Sequence, residues 1–189
     1  MKILSFVADI FEDLELWYPI IRLKEEGWEV DVVALDKSKK YTGKYGLKAE
    51  ANKDYDGLLI PGGFAPDILR IEEDCIRLTR EFNEQGKPIG MICHAGWVPV
   101  TAGILRGKTG TSTKKIKADL EGAGLTWVDK EVVVSENIIS SRSPKDLHVY
   151  TTTFIEEVKK EIHSQAGIPG DHILIAATHT HYAGSIVDL

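Results

Sequence analysis

A cysteine predicted to lie where a buried strand turns into a helix is the residue of this sequence best placed for chemistry. The stretch Lys87–Gly96 begins as a turn, continues as the apolar run Ile89–Ile92 and reaches Cys93 as that run ends. A small-residue helix is predicted from Ala95 onward. Because a helix N-terminus favours an anion, this position predicts a lowered thiol pKa, and the sharp turn resembles a nucleophile elbow. The alternative is a buried cysteine that packs as a small hydrophobic residue.

Two further loops are predicted at the same edge of the sheet as this cysteine. Residues Asp9–Asp13 follow the apolar strand Lys2–Ala8, and Pro61–Phe64 follow the apolar strand Tyr55–Ile60. Sites in open α/β sheets form at the carboxyl ends of strands. Convergence of these two loops on Cys93–Gly96 therefore favours a nucleophile over a packing role for the cysteine.

The elements that must position these loops alternate between strand and helix. The first strand is followed by an amphipathic helix that ends near Gly27 and by a second strand, Trp28–Leu35. This order predicts parallel strands joined by a right-handed crossover. The polar segment Lys39–Ala51 predicts a hairpin or edge excursion. Continued alternation predicts a doubly wound α/β fold with a mostly parallel sheet and helices on both faces.

Two local patterns in the second half of the chain predict a hairpin and a helix start. Val132–Val134 and Ile138–Ile139 flank Glu136–Asn137, which predicts a hairpin. Ser143 is predicted to cap a helix with Pro144 in its first turn, and this helix extends to about residue 164.

Composition excludes several classes of function. The chain has 189 residues and a formal net charge of -6, which gives no reason to expect nucleic acid or an anionic membrane as a partner. Two cysteines are too few for a disulfide framework, and no apolar run is long enough to span a membrane. We therefore expect a cytoplasmic protein. Cys75 lies among acidic residues of the predicted helix Glu72–Gln85, which favours a structural or merely exposed thiol.

The motifs together resemble the DJ-1/PfpI superfamily, in particular its PfpI branch of intracellular cysteine peptidases and deglycases. Its fold is flavodoxin-like. The matching segments occur in family order over residues 1 to about 160: Phe11–Glu15 with Tyr18–Pro19, Leu59–Gly63 with Ala65–Pro66, Gly86–Ile89 with Ile92–His94, Ala102–Gly107, Gly110–Ser112, Ile116–Lys117, Gly124–Trp127, Val132–Val134, and Ser140–Arg142 with Pro144 and Asp146–Leu147.

The resemblance implies a role for each residue of the predicted site. Cys93 is the nucleophile, Glu15 places a carboxyl group beside its sulfur, and His94 is the general base. The backbone amides of Gly63 and His94 form an oxyanion hole. Adjacent side chains do not easily face each other at a helix start, so a surface histidine is the alternative for His94. No cofactor is implied.

The sequence departs from the family pattern at three places. Peptidase members complete the site with an acidic residue from a neighbouring subunit, and Asp67 stands where a glutamate is usual. Thr113 replaces a frequent tyrosine, and Ala95–Trp97 follow His94 where many members have Gly-Pro. The shorter Asp67 side chain and the loss of the tyrosine favour small aldehydes or their adducts over peptides.

The last residues extend beyond the part that resembles the family. We predict a DJ-1/PfpI-like domain over residues 1–165 and a C-terminal extension over 166–189 that contains an extra strand. His179 and His181 in this extension have a spacing that offers two imidazoles to one metal, and the segment resembles the zinc-site strand of neutral ceramidases. An edge strand or subunit contact with incidental histidines is the alternative.

The predicted function is that of a PfpI-like cysteine hydrolase. Its substrate is a glyoxal-type aldehyde or its protein adduct, as in a deglycase or glyoxalase, or a peptide. The alternative is a non-enzymatic stress chaperone or redox sensor in which Cys93 is oxidised. A glutamine amidotransferase is disfavoured because no late His-x-Glu pair is present. The family also implies a homo-oligomer, either a dimer or a hexamer.

Overall fold

A six-stranded sheet forms the centre of the protein. The computed structural model describes residues 1–33, 41–45, 48–49 and 55–166. The strands are β1 Lys2–Phe6, β2 Glu29–Val33, β3 Tyr41–Thr42, β4 Lys48–Ala49, β5 Gly57–Ile60, β6 Ile89–Ile92, β7 Thr109–Gly110, β8 Thr126–Trp127, β9 Val132–Ser135 and β10 Ile138–Ser141. The helices are α1 Asp13–Glu25, α2 Ala65–Leu69, α3 Glu73–Glu84, α4 Trp97–Ala102, α5 Lys117–Gly122 and α6 Leu147–Ala166.

The strand order of the central sheet is β2-β1-β5-β6-β10-β9. Every pairing in it is parallel except β9 with β10, which are antiparallel neighbours. The order reverses beside β1, because β2 lies on one side of it and β5 on the other. This arrangement confirms the predicted doubly wound α/β fold, and it places the carboxyl ends of β1, β5 and β6 side by side.

Both faces of the sheet are covered by helices. On one face, α6 contributes Tyr150, Phe154 and Val158 to a buried cluster that includes Ile3 and Leu59 of the sheet. On the other face, residues of α3, α4 and α5 pack against Leu58, Ile60, Met91 and other strand residues of the sheet. Consecutive residues of one strand therefore belong to different clusters, because side chains alternate across a strand. The strands β5 and β6 are buried throughout, as their unbroken apolar runs predict.

The two predicted hairpins are found, and most element boundaries differ by a few residues. Strands β3 and β4 pair antiparallel inside the predicted edge excursion. Glu136 adopts a φ of 53° in the two-residue turn between β9 and β10, and hairpins of this length favour that left-handed conformation. Ser143 occupies the predicted N-cap position with Pro144 in the first turn, but that turn is a 3-10 turn that leads into α6, and the Ser143 side chain makes no capping hydrogen bond.

Among the described residues, no helix combines the length and apolar character needed to cross a membrane.

Candidate functional site

Three loops meet at the carboxyl ends of the neighbouring strands β1, β5 and β6. Gly63 pairs with Phe11 in an isolated antiparallel bridge, and the Phe64 N–H donates a hydrogen bond to the Ile10 carbonyl at 3.1 Å. Gly63 has a φ of 76°, and a Cβ atom there would lie 2.9 Å from the Ile10 carbonyl oxygen. The close approach of the first two loops therefore requires glycine at this position. Their predicted convergence beside the cysteine is confirmed.

Cys93 occupies a strained corner between β6 and α4. It has a φ of 60°, one of three positive values among the described residues other than glycine. A 3-10 turn over Cys93–Gly96 leads directly into α4. Left-handed backbone at a non-glycine residue is unfavourable and is common at functional positions. The geometry is that of the nucleophile elbow that the sequence predicts.

The left-handed corner also brings the adjacent histidine to the sulfur. The Sγ atom of Cys93 lies 3.2 Å from the Nδ1 atom of His94, although the two residues are neighbours in the chain. Burial and the positive charge of Lys115 lower the pKa of His94 from its ordinary value of 6.5. A neutral imidazole can accept a proton, so this ring is suited to act as a base for the thiol.

Glu15 reaches the same point from the first turn of α1. Its side chain is buried, and the Gly62 N–H donates a hydrogen bond of 2.9 Å to the Oε2 atom. The other oxygen, Oε1, is also buried and has no well-aligned hydrogen-bond partner in the described part of the chain. Burial, followed by the nearby Glu12 charge, raises the pKa of Glu15 to about 8. Glu15 is therefore protonated at neutral pH.

The pKa of Cys93 is raised to about 12, so the predicted lowering is wrong. Burial is the largest cause, and the second is the negative charge that Glu15 carries once it is deprotonated, above its own pKa. The backbone N–H groups of His94 and Gly63 point at the sulfur and oppose both effects without outweighing them. Since α4 has only six residues and begins after a 3-10 turn, its dipole is small. The sequence cannot reveal how completely the fold removes this thiol from water.

Asp67 is not part of the cluster formed by the other predicted residues. It lies exposed in α2, and in the described residues its carboxylate makes no hydrogen bond or ion pair. The Nδ1 atom of His94 faces Cys93, and no hydrogen bond joins Asp67 to the imidazole in the described residues, so Asp67 does not orient the ring within one chain. This placement leaves the carboxylate available to a neighbouring molecule.

An aromatic and cationic layer beside His94 was not predicted from the sequence. The rings of His94 and Trp97 are 5.4 Å apart, and the Arg70 guanidinium lies 5.3 Å from the centre of the Trp97 ring. The Trp97 indole N–H donates to the Asp119 carboxylate at 2.7 Å, which fixes the ring. The replacement of the family pattern by Ala95–Trp97 was the sequence signal that could have indicated this wall.

Lys44 is a second site neighbour that the sequence did not indicate. The Lys44 N–H donates to the Phe11 carbonyl at 2.8 Å, and the Tyr45 N–H donates to Asp13 at 2.7 Å, so this segment is tied to the loop after β1. The exposed ammonium group lies close enough to favour the charged forms of Glu15 and Cys93 electrostatically. It therefore adds positive charge to an otherwise acidic corner.

Cys75, the second cysteine, is buried in α3. Burial and the neighbouring charges of Glu72 and Asp74 raise its pKa to about 12. Both observations agree with the predicted structural thiol.

The predicted metal candidates His179 and His181 and the predicted tail strand lie outside the described residues. Within residues 1–33, 41–45, 48–49 and 55–166, no group of three or more His, Cys, Asp or Glu side chains is arranged to hold a metal ion. The comparisons below give the ceramidase resemblance of the tail no support.

Fold and site together define an α/β protein with a cysteine elbow at the edge of a doubly wound sheet. The family model for the DJ-1/PfpI family matches residues 1–157. The chain therefore belongs to the DJ-1/PfpI family.

Relatives of known name extend along most of the chain. A deglycase of Thermococcus kodakarensis is 43% identical over 164 residues, which cover 82% of this chain and 98% of the relative. A second relative, from Bacillus subtilis, is named provisionally as a cysteine protease. It is 39% identical over 166 residues, which cover 84% of this chain and 98% of the relative. Among solved structures, Drosophila melanogaster DJ-1beta has a TM-score of 0.77 at 22% identity, with 89% and 98% covered. This last likeness concerns the fold alone.

Proposed function

We propose that the protein is a cysteine-dependent hydrolase of the deglycase type, acting on glyoxal-type aldehydes or their adducts. The observation that carries the proposal is the contact of 3.2 Å between the Cys93 sulfur and the His94 imidazole at a left-handed elbow. The protonated carboxyl of Glu15 and two backbone N–H groups adjoin the same sulfur. A nucleophile, a base and hydrogen-bond donors for an oxyanion are thus assembled around one atom.

In the proposed first step, His94 takes the thiol proton as the Cys93 sulfur attacks the carbonyl carbon. The raised pKa of the thiol and the lowered pKa of the imidazole favour a neutral resting pair over a preformed thiolate. The electron pair of the carbonyl bond moves to its oxygen. The N–H groups of Gly63 and His94 would stabilise that oxygen as a charge develops on it.

The later steps return the nucleophile and release the product. For an α-oxoaldehyde, the C1 hydrogen must move as a proton to C2 of the covalent adduct, and the C2 oxygen must take the proton held by His94, which gives a thioester. Water then hydrolyses the thioester to a hydroxy acid and the free thiol. His94 and Glu15 are the two titratable side chains beside the sulfur that can exchange these protons.

Small aldehydes and adducts are favoured over peptides by the same residues that depart from the family pattern. Asp67 does not contact His94 in its own chain, and Thr113 stands where a tyrosine is frequent. The relatives named as deglycases support this choice, whereas the Bacillus subtilis relative supports the peptidase alternative.

We further propose that a second copy of this chain docks beside Asp67. Four exposed apolar side chains, which we name the apolar rim, lie in or at the start of α2 and in the segment that joins β1 to α1: Ile10, Leu14, Phe64 and Ile68. The backbone hydrogen bond from Phe64 to Ile10 joins these two segments, and Phe64 and Ile68 have the spacing of one helical turn. A partner seated on this rim would receive Asp67 near its own active site, in a dimer or a hexamer.

A redox sensor is the second candidate, and one observation favours it. The Glu15 carboxyl, whose side chain already interacts with Cys93, and the N–H groups of Gly63 and His94 would hold the oxygens of an oxidised Cys93 sulfur. Such a protein would react with peroxide in preference to aldehyde.

The test is methylglyoxal consumption by purified protein and by its Cys93→Ser variant, with casein hydrolysis and peroxide reaction measured alongside. We expect aldehyde turnover that falls to background in Cys93→Ser and is retained in Cys75→Ser, the matched control at the other thiol. Casein cleavage without aldehyde turnover would contradict the deglycase proposal and indicate a peptidase. Reaction with peroxide alone would contradict it and indicate a redox sensor.

Three sequence predictions remain open for the protein as a whole. These are the cytoplasmic location, the domain boundary at residue 165 and the extra strand in residues 166–189.

A further inference from the structure

An open groove of about 820 Å³ runs alongside α3 and α4, next to the proposed active site. Its lining includes Arg70, Arg77, Arg80 and Thr101. Three guanidinium groups in one groove are a feature that the proposed chemistry at Cys93 does not use.

Two of these arginines carry charges that no carboxylate of the described chain neutralises. The Arg80 guanidinium donates to the backbone carbonyls of Ala102 at 2.9 Å and Thr101 at 3.5 Å. The Arg70 guanidinium makes no hydrogen bond or ion pair within the described residues and only lies over the Trp97 ring.

The other charges of the groove largely compensate each other. Arg77 is paired with Asp74 at 3.0 Å and with Glu81 at 2.7 Å. Glu73, exposed at the start of α3, is the acidic lining residue without an arginine partner in the part of the chain described. Two guanidinium charges thus face one free carboxylate, which favours an anion in the groove.

The groove is connected to the nucleophile by a series of side chains in contact. Arg70 lies over one part of Trp97, and the Trp97 ring contacts the His94 ring. Asp119 holds the indole in place, and His94 contacts the Cys93 sulfur. A single side chain, Trp97, therefore separates Arg70 from the histidine that adjoins the nucleophile.

We infer that this groove is the subsite for an anionic substituent of the substrate, a carboxylate or phosphate carried by the aldehyde adduct. Arg70 binds the anion with the support of the Arg80 charge, and Trp97 contacts the chain that joins the anion to the reacting carbon. A planar guanidinium suits both oxyanions, because it can donate two parallel hydrogen bonds. This inference rests on the proposed function and specifies its substrate class.

Two matched pairs of methylglyoxal hemithioacetals test the inference. The carboxylate pair is made from N-acetylcysteine and N-acetylcysteine amide, and the phosphate pair from phosphopantetheine and pantetheine. We expect kcat/KM to be about ten-fold higher for the charged member of at least one pair, the effect of one charge-assisted hydrogen bond. The pair that shows the preference identifies the anion.

Variants of the arginines connect the preference to the groove. In Arg70→Gln the ratio of charged to neutral adduct should fall to about one, and in Arg70→Lys part of it should return. Arg22→Gln is the control for the loss of one positive charge, because Arg22 lies on α1, pairs with Glu25 and does not line the groove, and it should keep the wild-type ratio. Equal rates within both pairs for the wild type, or an undiminished ratio in Arg70→Gln, would overturn the inference.

A binding measurement separates this inference from the proposed function. If the wild type turns over neither member of either pair, the proposed function fails. The binding of S-methyl phosphopantetheine and of S-methyl pantetheine to the Cys93→Ser protein, measured by calorimetry, then tests the anion subsite independently of catalysis. Tighter binding of the phosphorylated compound that is lost on adding Arg70→Gln supports an anion subsite, and equal binding of the two compounds contradicts it.

Discussion

At the scale of single residues, the proton on Glu15 determines the state of the site. Below its raised pKa of about 8, the buried carboxyl is neutral and can donate a hydrogen bond towards the sulfur. Above that pH it carries a charge that repels a thiolate and raises the pKa of Cys93 further. Nucleophilic attack is therefore favoured over an interval of pH with two limits. Protonation of His94 sets the lower limit, and deprotonation of Glu15 sets the upper one.

The same proton makes stability depend on pH. Because the folded pKa of Glu15 lies above its ordinary value of 4.5, the native state holds the proton more tightly than the unfolded chain. The free energy of unfolding that Glu15 contributes is complete below about pH 4.5 and falls as the pH rises towards 8. Glu15→Gln removes this dependence, so its stability relative to the wild type should increase over that interval by an amount on the order of a few kcal/mol.

Urea unfolding of both proteins at several pH values between about 4.5 and 8 would measure this difference. Glu73→Gln, at an exposed carboxylate of α3, is the control and should leave the pH dependence as in the wild type. A constant difference between Glu15→Gln and the wild type across the interval would mean that Glu15 is ionised in the folded protein.

At the scale of elements, the loop after β5 holds α1 and the elbow together through Gly62. A Cβ atom on this residue would lie 2.8 Å from Cys93 Cβ and would collide with the Glu15 carboxyl oxygen. Gly62→Ala should therefore move the carboxyl and the sulfur apart and lower kcat/KM for the aldehyde by at least about ten-fold, because small misplacements of reacting groups cost much of the rate.

Activity and thermal unfolding measured together test this prediction. Gly122→Ala is the matched control, since a Cβ atom at the end of α5 meets nothing within 4 Å. It should leave both quantities near their wild-type values. Wild-type activity in Gly62→Ala would show that the loop can yield and that the close packing is not needed for catalysis.

The sequence predicts these elements well where one short pattern decides them. Runs such as Ile89–Ile92 are apolar and bounded by turns, so they predict buried strands, and the elbow follows from the position of Cys93 at the end of one. The stacking of Arg70 on Trp97 joins residues far apart in the chain, and no local pattern contains it. The predicted direction of the Cys93 pKa shift was wrong for a related reason. The burial that raises this pKa depends on every element packed around the thiol.

At the scale of the whole molecule, the apolar rim predicts association. Isolated exposed apolar residues are ordinary, but the four residues of the apolar rim, Ile10, Leu14, Phe64 and Ile68, are all exposed on two segments that a backbone hydrogen bond joins. Sedimentation of the wild type should give the mass of two or more chains, and Ile68→Asp should shift the distribution towards one chain, because a buried unpaired charge opposes docking.

Val134→Asp provides the control for this experiment. Val134 on β9 is 41% exposed, against 36% for Ile68, so the two changes place a charge on equally accessible apolar positions. The control should keep the wild-type mass. A single-chain mass for the wild type would contradict the proposed docking of a second copy. Equal dissociation in Ile68→Asp and Val134→Asp would show that the contact does not depend specifically on the apolar rim.

The left-handed backbone at Cys93 has a consequence for any attempt to improve this protein. A side chain at a φ of 60° costs about 1 kcal/mol, whereas glycine adopts the same conformation freely. A variant library screened only for survival of heat would therefore enrich glycine at the very position that carries the reactive sulfur. At this residue, thermal stability favours glycine whereas catalytic turnover requires cysteine. A selection scheme must therefore score both stability and turnover in every round.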